Sequence, residues 1–212
     1  MPKINAPWYR TEITRGIDRC LILYCFQDLR RVDELAYQKI LFLVEYYLLR
    51  QCRAMPLKLK YFMYTYGPFS KDAYTERDKL RSCGLMNPNR YQVTQAGKDL
   101  AEYFAAAVSD VATNQPLLSL IDEIVSRAKK YSGSELMKIV YRLPTLEDPS
   151  AKIRDYPKHH DIITPDESLR GLTVPTYFLE DLKEALGEPE VFDTDAVLRE
   201  ADARLANAVE QS

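Results

Sequence analysis

The segment from about Asp33, closed by Pro56, constrains the fold of this chain more than any other. At helical spacing it places Ala36, Ile40, Leu43, Val44, Tyr47 and Leu48 on one face, while Leu41, Phe42, Tyr46 and Leu49 fill much of the opposite one. A helix that is apolar nearly all round must be covered on most of its circumference, so it lies at the centre of its domain. Its apolar run, Ile40 to Val44 and then Tyr46 to Leu49, is broken by Glu45 and is far shorter than the roughly 20 residues a bilayer requires. The expected role is therefore a core helix, and the protein is expected to be cytoplasmic, with no membrane partner.

Other helices should pack around it. Ile17, Cys20, Leu21, Tyr24 and Cys25 recur at helical spacing after Thr14, which predicts a first helix ending near Asp28. Ser70 is placed to cap a helix running to Cys83, and Gly84 is a natural stop. Thr94 caps a helix carrying Leu100, Phe104, Ala107 and Val108, and Pro116 opens another with Leu117, Leu120, Ile121 and Ile124 on one stripe. Ser132 or Ser134 caps a shorter helix with Leu136, Ile139 and Val140. Residues 144 to 174 read as irregular, with a helix from Pro175 to Gly187 and a last one after Asp193. That tail either docks on the core or forms a homodimer seam. Seven glycines against fifteen tyrosines favour regular helices with aromatic packing over a loop-rich fold. The expected fold class is mainly α: residues 1–147 a helical core, residues 148–212 a loop and acidic helical extension.

The stretch from Leu57 to Tyr64 behaves differently. Leu57, Leu59, Tyr61 and Met63 alternate with Lys58, Lys60, Phe62 and Tyr64, which reads as a short half-buried strand or an extended lead-in. Tyr66-Gly67-Pro68 follows as turn chemistry. It is either a partner-binding loop or a rigid turn that aims the next helix.

Chemistry-bearing motifs are sparse. No Gly-rich phosphate loop and no Gly-x-Ser-x-Gly elbow occurs. The carboxylates Asp122 and Glu123 are neighbours on an amphipathic helix and read as a solvated face. Cys20, Cys25, Cys52 and Cys83 show no Cys-x-x-Cys pair and suit small apolar residues in a reducing compartment. His159 and His160 are adjacent in a charged loop, beside Asp155 and Asp161, without the ligand spacing of a Cys/His site. No catalytic residue, metal ligand or cofactor is expected.

Charge is distributed unevenly. Residues 50–98 hold ten basic and three acidic side chains, a local +7 in a chain whose formal net charge is -2. A basic centre within an otherwise acidic chain steers association with anionic partners.

The order helix, short strand, turn, helix, hairpin, helix resembles a winged-helix pattern. In it Cys83-Gly84-Leu85-Met86 is the stop and Tyr91-Gln92-Val93-Thr94-Gln95-Ala96-Gly97 the wing, with a hairpin at about 85–94. More narrowly, the chain is similar to the SocA-like (Panacea) antitoxin domain and its YwgA-like relatives over about residues 17–147. The residues that carry the resemblance are Lys39-Ile40-Leu41-Phe42-Leu43, Tyr66-Gly67-Pro68, Gly84, the Tyr91 to Gly97 wing, and Ser134-Glu135-Leu136 through Tyr141 to Pro144. Phe69-Ser70-Lys71 is closer to the YwgA-like version, and the single tryptophan, Trp8, departs from tryptophan-rich antitoxin members. The resemblance implies a helical domain that binds proteins, in some members a toxin that is neutralised or handed to a protease.

The expected binding residues are Tyr66, Lys71, Tyr74, Arg77, Lys79, Arg81 and Arg90. Their function divides three ways. An antitoxin-like regulator would bind a protein partner, a toxin among the candidates. A winged-helix regulator would place the basic helix and Arg90 on DNA phosphates and grooves. In the third case the basic and acidic residues of that helix are ordinary surface pairs, and an enzyme assembled from distant residues is the least supported reading.

Overall fold

Helix α2 (Glu34–Cys52) is the axis of the molecule. In the computed structural model, which describes residues 12–30 and 32–186, twelve of its nineteen residues are buried, including every one from Ala36 to Tyr46. Asp33 caps its N-terminus, its carboxylate accepting from the Ala36 N–H at 2.6 Å. Arg53, in the left-handed region at φ 48°, ends it. Helix α5 (Gln115–Ala128) and helix α6 (Gly133–Arg142) pack on α2, while helix α1 (Glu12–Phe26) carries helix α4 (Gln95–Ser109) and meets α2 where Phe26 lies 4.9 Å from Tyr37. Helix α3 (Lys71–Ser82) leans on α1. The tie between those two is an ion pair: Glu76 is buried and meets the Arg19 guanidinium at 2.7 Å. Glu76 is thus an internal partner of α1 and not one of the surface acids that the sequence suggested.

The caps follow the sequence. Ser70 accepts from Ala73, and Thr94 from Gly97. Ser132, rather than Ser134, forms a reciprocal capping box with Glu135 at the start of α6. Helix α7 (Thr176–Leu186) starts just after Pro175 and seats Phe178 against Phe104 and Leu182 over Gly16. Asn114 holds the approach to α7, exchanging two hydrogen bonds with the Thr173 backbone at 2.8 and 2.9 Å. The helix expected after Asp193, and with it the dimer seam, lies outside the described residues.

The β structure departs from expectation. The hairpin expected at 85–94 is a loop closed by one bridge, Met86 to Val93. Pro88 has no N–H to give, and the Asn87 side chain turns back to accept from Asn89 at 3.0 Å, so the arms stop at one inward pair. The true strands stand before α3: strand β1 (Tyr61–Tyr64) and strand β2 (Gly67–Phe69). A third, strand β3 (Asp161–Ile163), comes from the stretch read as irregular and completes an antiparallel sheet of order β2-β1-β3. Alternation along β1 is as expected, with Tyr61 and Met63 turned into the core. The molecule is mainly helical with one small sheet.

Gly133 sits where α6 meets the start of α2. A Cβ there would stand 2.4 Å from the Asp33 carboxylate and 2.8 Å from the Ala36 nitrogen, on top of the α2 cap. Gly133→Ala should therefore lower unfolding stability by about 2 kcal/mol. Gly171→Ala, whose Cβ would meet only Pro56 at 3.8 Å, should be close to neutral. Urea denaturation of the two variants checks this.

Candidate protein-binding face

The Tyr66-Gly67-Pro68 turn is fixed from below. Gln38 makes two bonds to Ser70, accepting from its N–H at 2.9 Å and donating to its carbonyl at 3.0 Å. Lys39, only 2 % exposed, donates to the Pro68 carbonyl at 2.7 Å. Gly67 has φ +86°, and a Cβ on it would come within 3.1 Å of the Tyr141 ring. Tyr141 in turn reaches the Thr65 carbonyl at 3.4 Å. A left-handed φ with an α6 ring overhead requires glycine. The underside of the turn is thus a rigid mount, while Tyr66 on top is 63 % exposed.

The outward side of the sheet is a set of touching rings. Phe62 and Tyr64 point away from the core, and Phe69 joins them, 5.6 Å from Phe62 and 5.5 Å from Tyr64. His159 lies 6.3 Å from Phe62 and 6.0 Å from Tyr64, and the Lys158 ammonium is 5.2 Å from the Tyr64 ring. Backbone bonds place this corner: His159, at φ 69°, donates to Met63, and Met63 donates to His160, both at 2.7 Å. His160 stacks on Tyr156 at 4.3 Å. The two histidines thus lie in a turn bonded to β1 just before β3, His159 exposed and His160 half-buried. Among the described residues no group of three or more His, Cys, Asp or Glu gathers as metal ligands would.

From the sheet the rings continue along α3. Phe69 meets Tyr74 edge-on at 5.1 Å, and the Tyr74 hydroxyl donates to Glu34. The Arg77 guanidinium lies 4.2 Å from the Tyr74 ring and donates to the Tyr91 hydroxyl at 2.7 Å. Arg81 lies 4.9 Å from the Tyr91 ring on the same side. Tyr91 is anchored inward on Tyr37 at 5.0 Å, whose buried hydroxyl donates to the Ala73 carbonyl at 2.9 Å. The result is a continuous run of rings and cations from β1 to the 85–94 loop. Such cation–ring contacts each contribute roughly 0.5–1 kcal/mol at exposed sites.

The structure thus brings three expected residues together, Tyr74, Arg77 and Arg81, while Tyr66 stands exposed in the turn between β1 and β2. Lys71 is exposed at the first turn of α3, and Arg90 is exposed on the 85–94 loop. Lys79 is exposed on the other flank of α3, because at 3.6 residues per turn it projects away from positions 74, 77 and 81. Arg77 bonds Asp78 at 2.6 and 2.9 Å, so its charge is partly answered. Phe62, Tyr64, Phe69, Tyr91, Lys158 and His159 were missing from the expected set. Phe62 and Tyr64 share the outward register of the alternating run, which is the signal for this face in the sequence. His159 arrives from 97 positions beyond Phe62, as read from their residue numbers, and only strand pairing could bring it there.

Comparison with known proteins gives one result. The family model "Antitoxin SocA-like, Panacea domain" matches residues 37–145, half of the chain, spanning most of α2, the hairpin, α3, the 85–94 loop, α4, α5 and α6. No curated protein and no solved structure matches.

Burial lowers the Lys39 ammonium from its ordinary value of 10.5 to about 7. Between those values the unfolded chain holds a proton that the folded chain has released, so this contribution to stability grows as pH rises above 7 and is lost as pH falls through 7. Relative to Lys39→Met, the parent should gain about 2 kcal/mol between pH 7 and 9. The buried Cys20, Cys25 and Tyr37, which burial pushes upward, oppose this trend equally in both proteins. Urea unfolding of the pair at several pH values is the check.

Proposed function

We propose, since the chain belongs to the SocA-like Panacea antitoxin family, that it is a non-enzymatic regulator that works by binding a protein partner, a cognate toxin in the simplest case, in the cytoplasm. The observation that carries the reading is the ring surface of the hairpin, rigid beneath and open above. Tyr64 and Tyr66 are 43 % and 63 % exposed although Gln38, Lys39 and Tyr141 hold the backbone under them in place. Rigid aromatic side chains lose little entropy on contact and act as interface anchors. No helix among the described residues is long and apolar enough to cross a membrane.

A second reading, a winged-helix DNA-binding regulator, draws on the exposed Lys71, Lys79 and Arg90. Phosphate contacts by these residues would make binding fall steeply with salt. The ring surface favours the protein partner, because touching rings such as Phe62, Tyr64 and Phe69 offer apolar anchoring that a phosphate backbone does not use.

Replacing Tyr64 and Tyr66 with serine tests the first reading. Folding stability should fall by no more than about 2 kcal/mol, the loss coming from the ring and Lys158 contacts of Tyr64. Co-purification with the product of a neighbouring gene should be lost, with affinity reduced at least about ten-fold by calorimetry. Unchanged affinity, or retention of the parent protein on duplex DNA in place of that partner, would reject it.

A further inference from the structure

Arg81 is mounted for a carboxylate that no described residue supplies within hydrogen-bonding distance. Its guanidinium lies 4.9 Å from the Tyr91 ring, its Nε is buried with no hydrogen-bond partner, and its side chain is 20 % exposed. The nearest acid is Asp78, and the gap to it is 3.9 Å, beyond hydrogen-bonding reach. Asp78 is committed elsewhere: the same oxygen accepts from Arg77 Nε at 2.9 Å and Arg77 Nη2 at 2.6 Å. One carboxylate, itself 62 % exposed, therefore serves two guanidiniums and satisfies only one.

A buried donor without an acceptor carries a cost that an incoming acceptor would remove. A ring-braced guanidinium is also held ready for bidentate contact with a planar acid. We infer that Arg81 and Arg77 form a docking pair for an acidic side chain of the protein partner, with Asp78 standing in for that acid in the free protein. This deepens, and rests on, the reading of the adjoining ring surface as protein-binding. On binding, the partner's carboxylate takes Arg81 directly and competes with Asp78 for Arg77, while apolar groups beside it cover Tyr74, Phe69 and Tyr64. The partner segment is thus acidic with interspersed apolar residues. Charge complementarity supports that occupant, since the segment around the pair is strongly basic.

The test is fluorescence anisotropy of the full chain with a labelled peptide of interspersed glutamate, leucine and tyrosine, against a thymidine oligonucleotide of equal charge. Asp78→Asn removes the stand-in with little change of shape and should tighten peptide binding about two- to five-fold. Arg81→Gln should weaken it about ten-fold. Lys79→Gln, on the other flank, should leave it within two-fold of the parent. Melting curves of Asp78→Asn and Arg81→Gln keep a folding defect distinct, and Arg81→Lys, which keeps charge but loses the planar fork, should still weaken binding. Equal losses in Arg81→Gln and Lys79→Gln would overturn the inference in favour of diffuse charge, as would tighter binding of the oligonucleotide than of the peptide. If the Tyr64/Tyr66 serine variant loses the peptide while the Asp78 and Arg81 variants match the parent, the docking pair falls and the ring surface stands. If none of them differs from the parent, both fall.

Discussion

The hairpin and the start of α3 are positioned by what α2 buries. A helix apolar on all sides would bind its neighbours equally well at many rotations and slides, because the hydrophobic effect has no direction. Two of its three buried polar residues, Gln38 and Lys39, remove that freedom. Gln38 must find both partners on Ser70, and Lys39 must find the Pro68 carbonyl, since unmet polar groups in the interior are costly. These three bonds fix the hairpin and the start of α3 against the central helix in one register. The ring surface, the Tyr74 to Arg81 stripe and the position of Tyr91 follow from that.

How far the sequence could be read depended on the range over which each signal acts. Helices were legible because spacing and caps are local: Asp33, Ser70, Thr94 and Ser132 each announce a helix within four residues. The outward register of Phe62 and Tyr64 was legible for the same reason. β2 and β3 were not, because Gly67-Pro68-Phe69 and Asp161-Ile162-Ile163 are too short to show a period. The wing motif is legible only as a short loop, since its turn residues are real and its arms hold the Met86–Val93 bridge with one backbone bond on either side, Asn87 to Gln92 and Thr94 to Leu85. Of the expected site, the members on one side of α3 cohere and Lys79 does not, a distinction that depends on which face Leu80 and Ala73 bury.

The family match begins inside α2 and ends just after α6, so α1, β3 and α7 lie outside it. These parts are nonetheless structurally connected to the matched region. Arg19 of α1 completes the buried pair with Glu76, β3 supplies the third strand, and residues 158 to 160 supply one corner of the ring surface. The surface is therefore composite: its floor lies within the matched region, and its His159 and Lys158 edge belongs to residues beyond it.

Pro68 has a further consequence for how this face can be used. It sits in the middle of β2, an outer strand of the sheet, where it has no N–H to offer, and its carbonyl is already taken by Lys39. The three-residue strand β2 thus has neither a donor nor an acceptor at its centre for an incoming backbone. Backbone-driven recruitment of an extended peptide along this edge is closed, and so is the edge-to-edge stacking by which exposed sheets aggregate. What the surface offers instead is side-chain chemistry alone, which depends on sequence where backbone pairing would accept almost any chain.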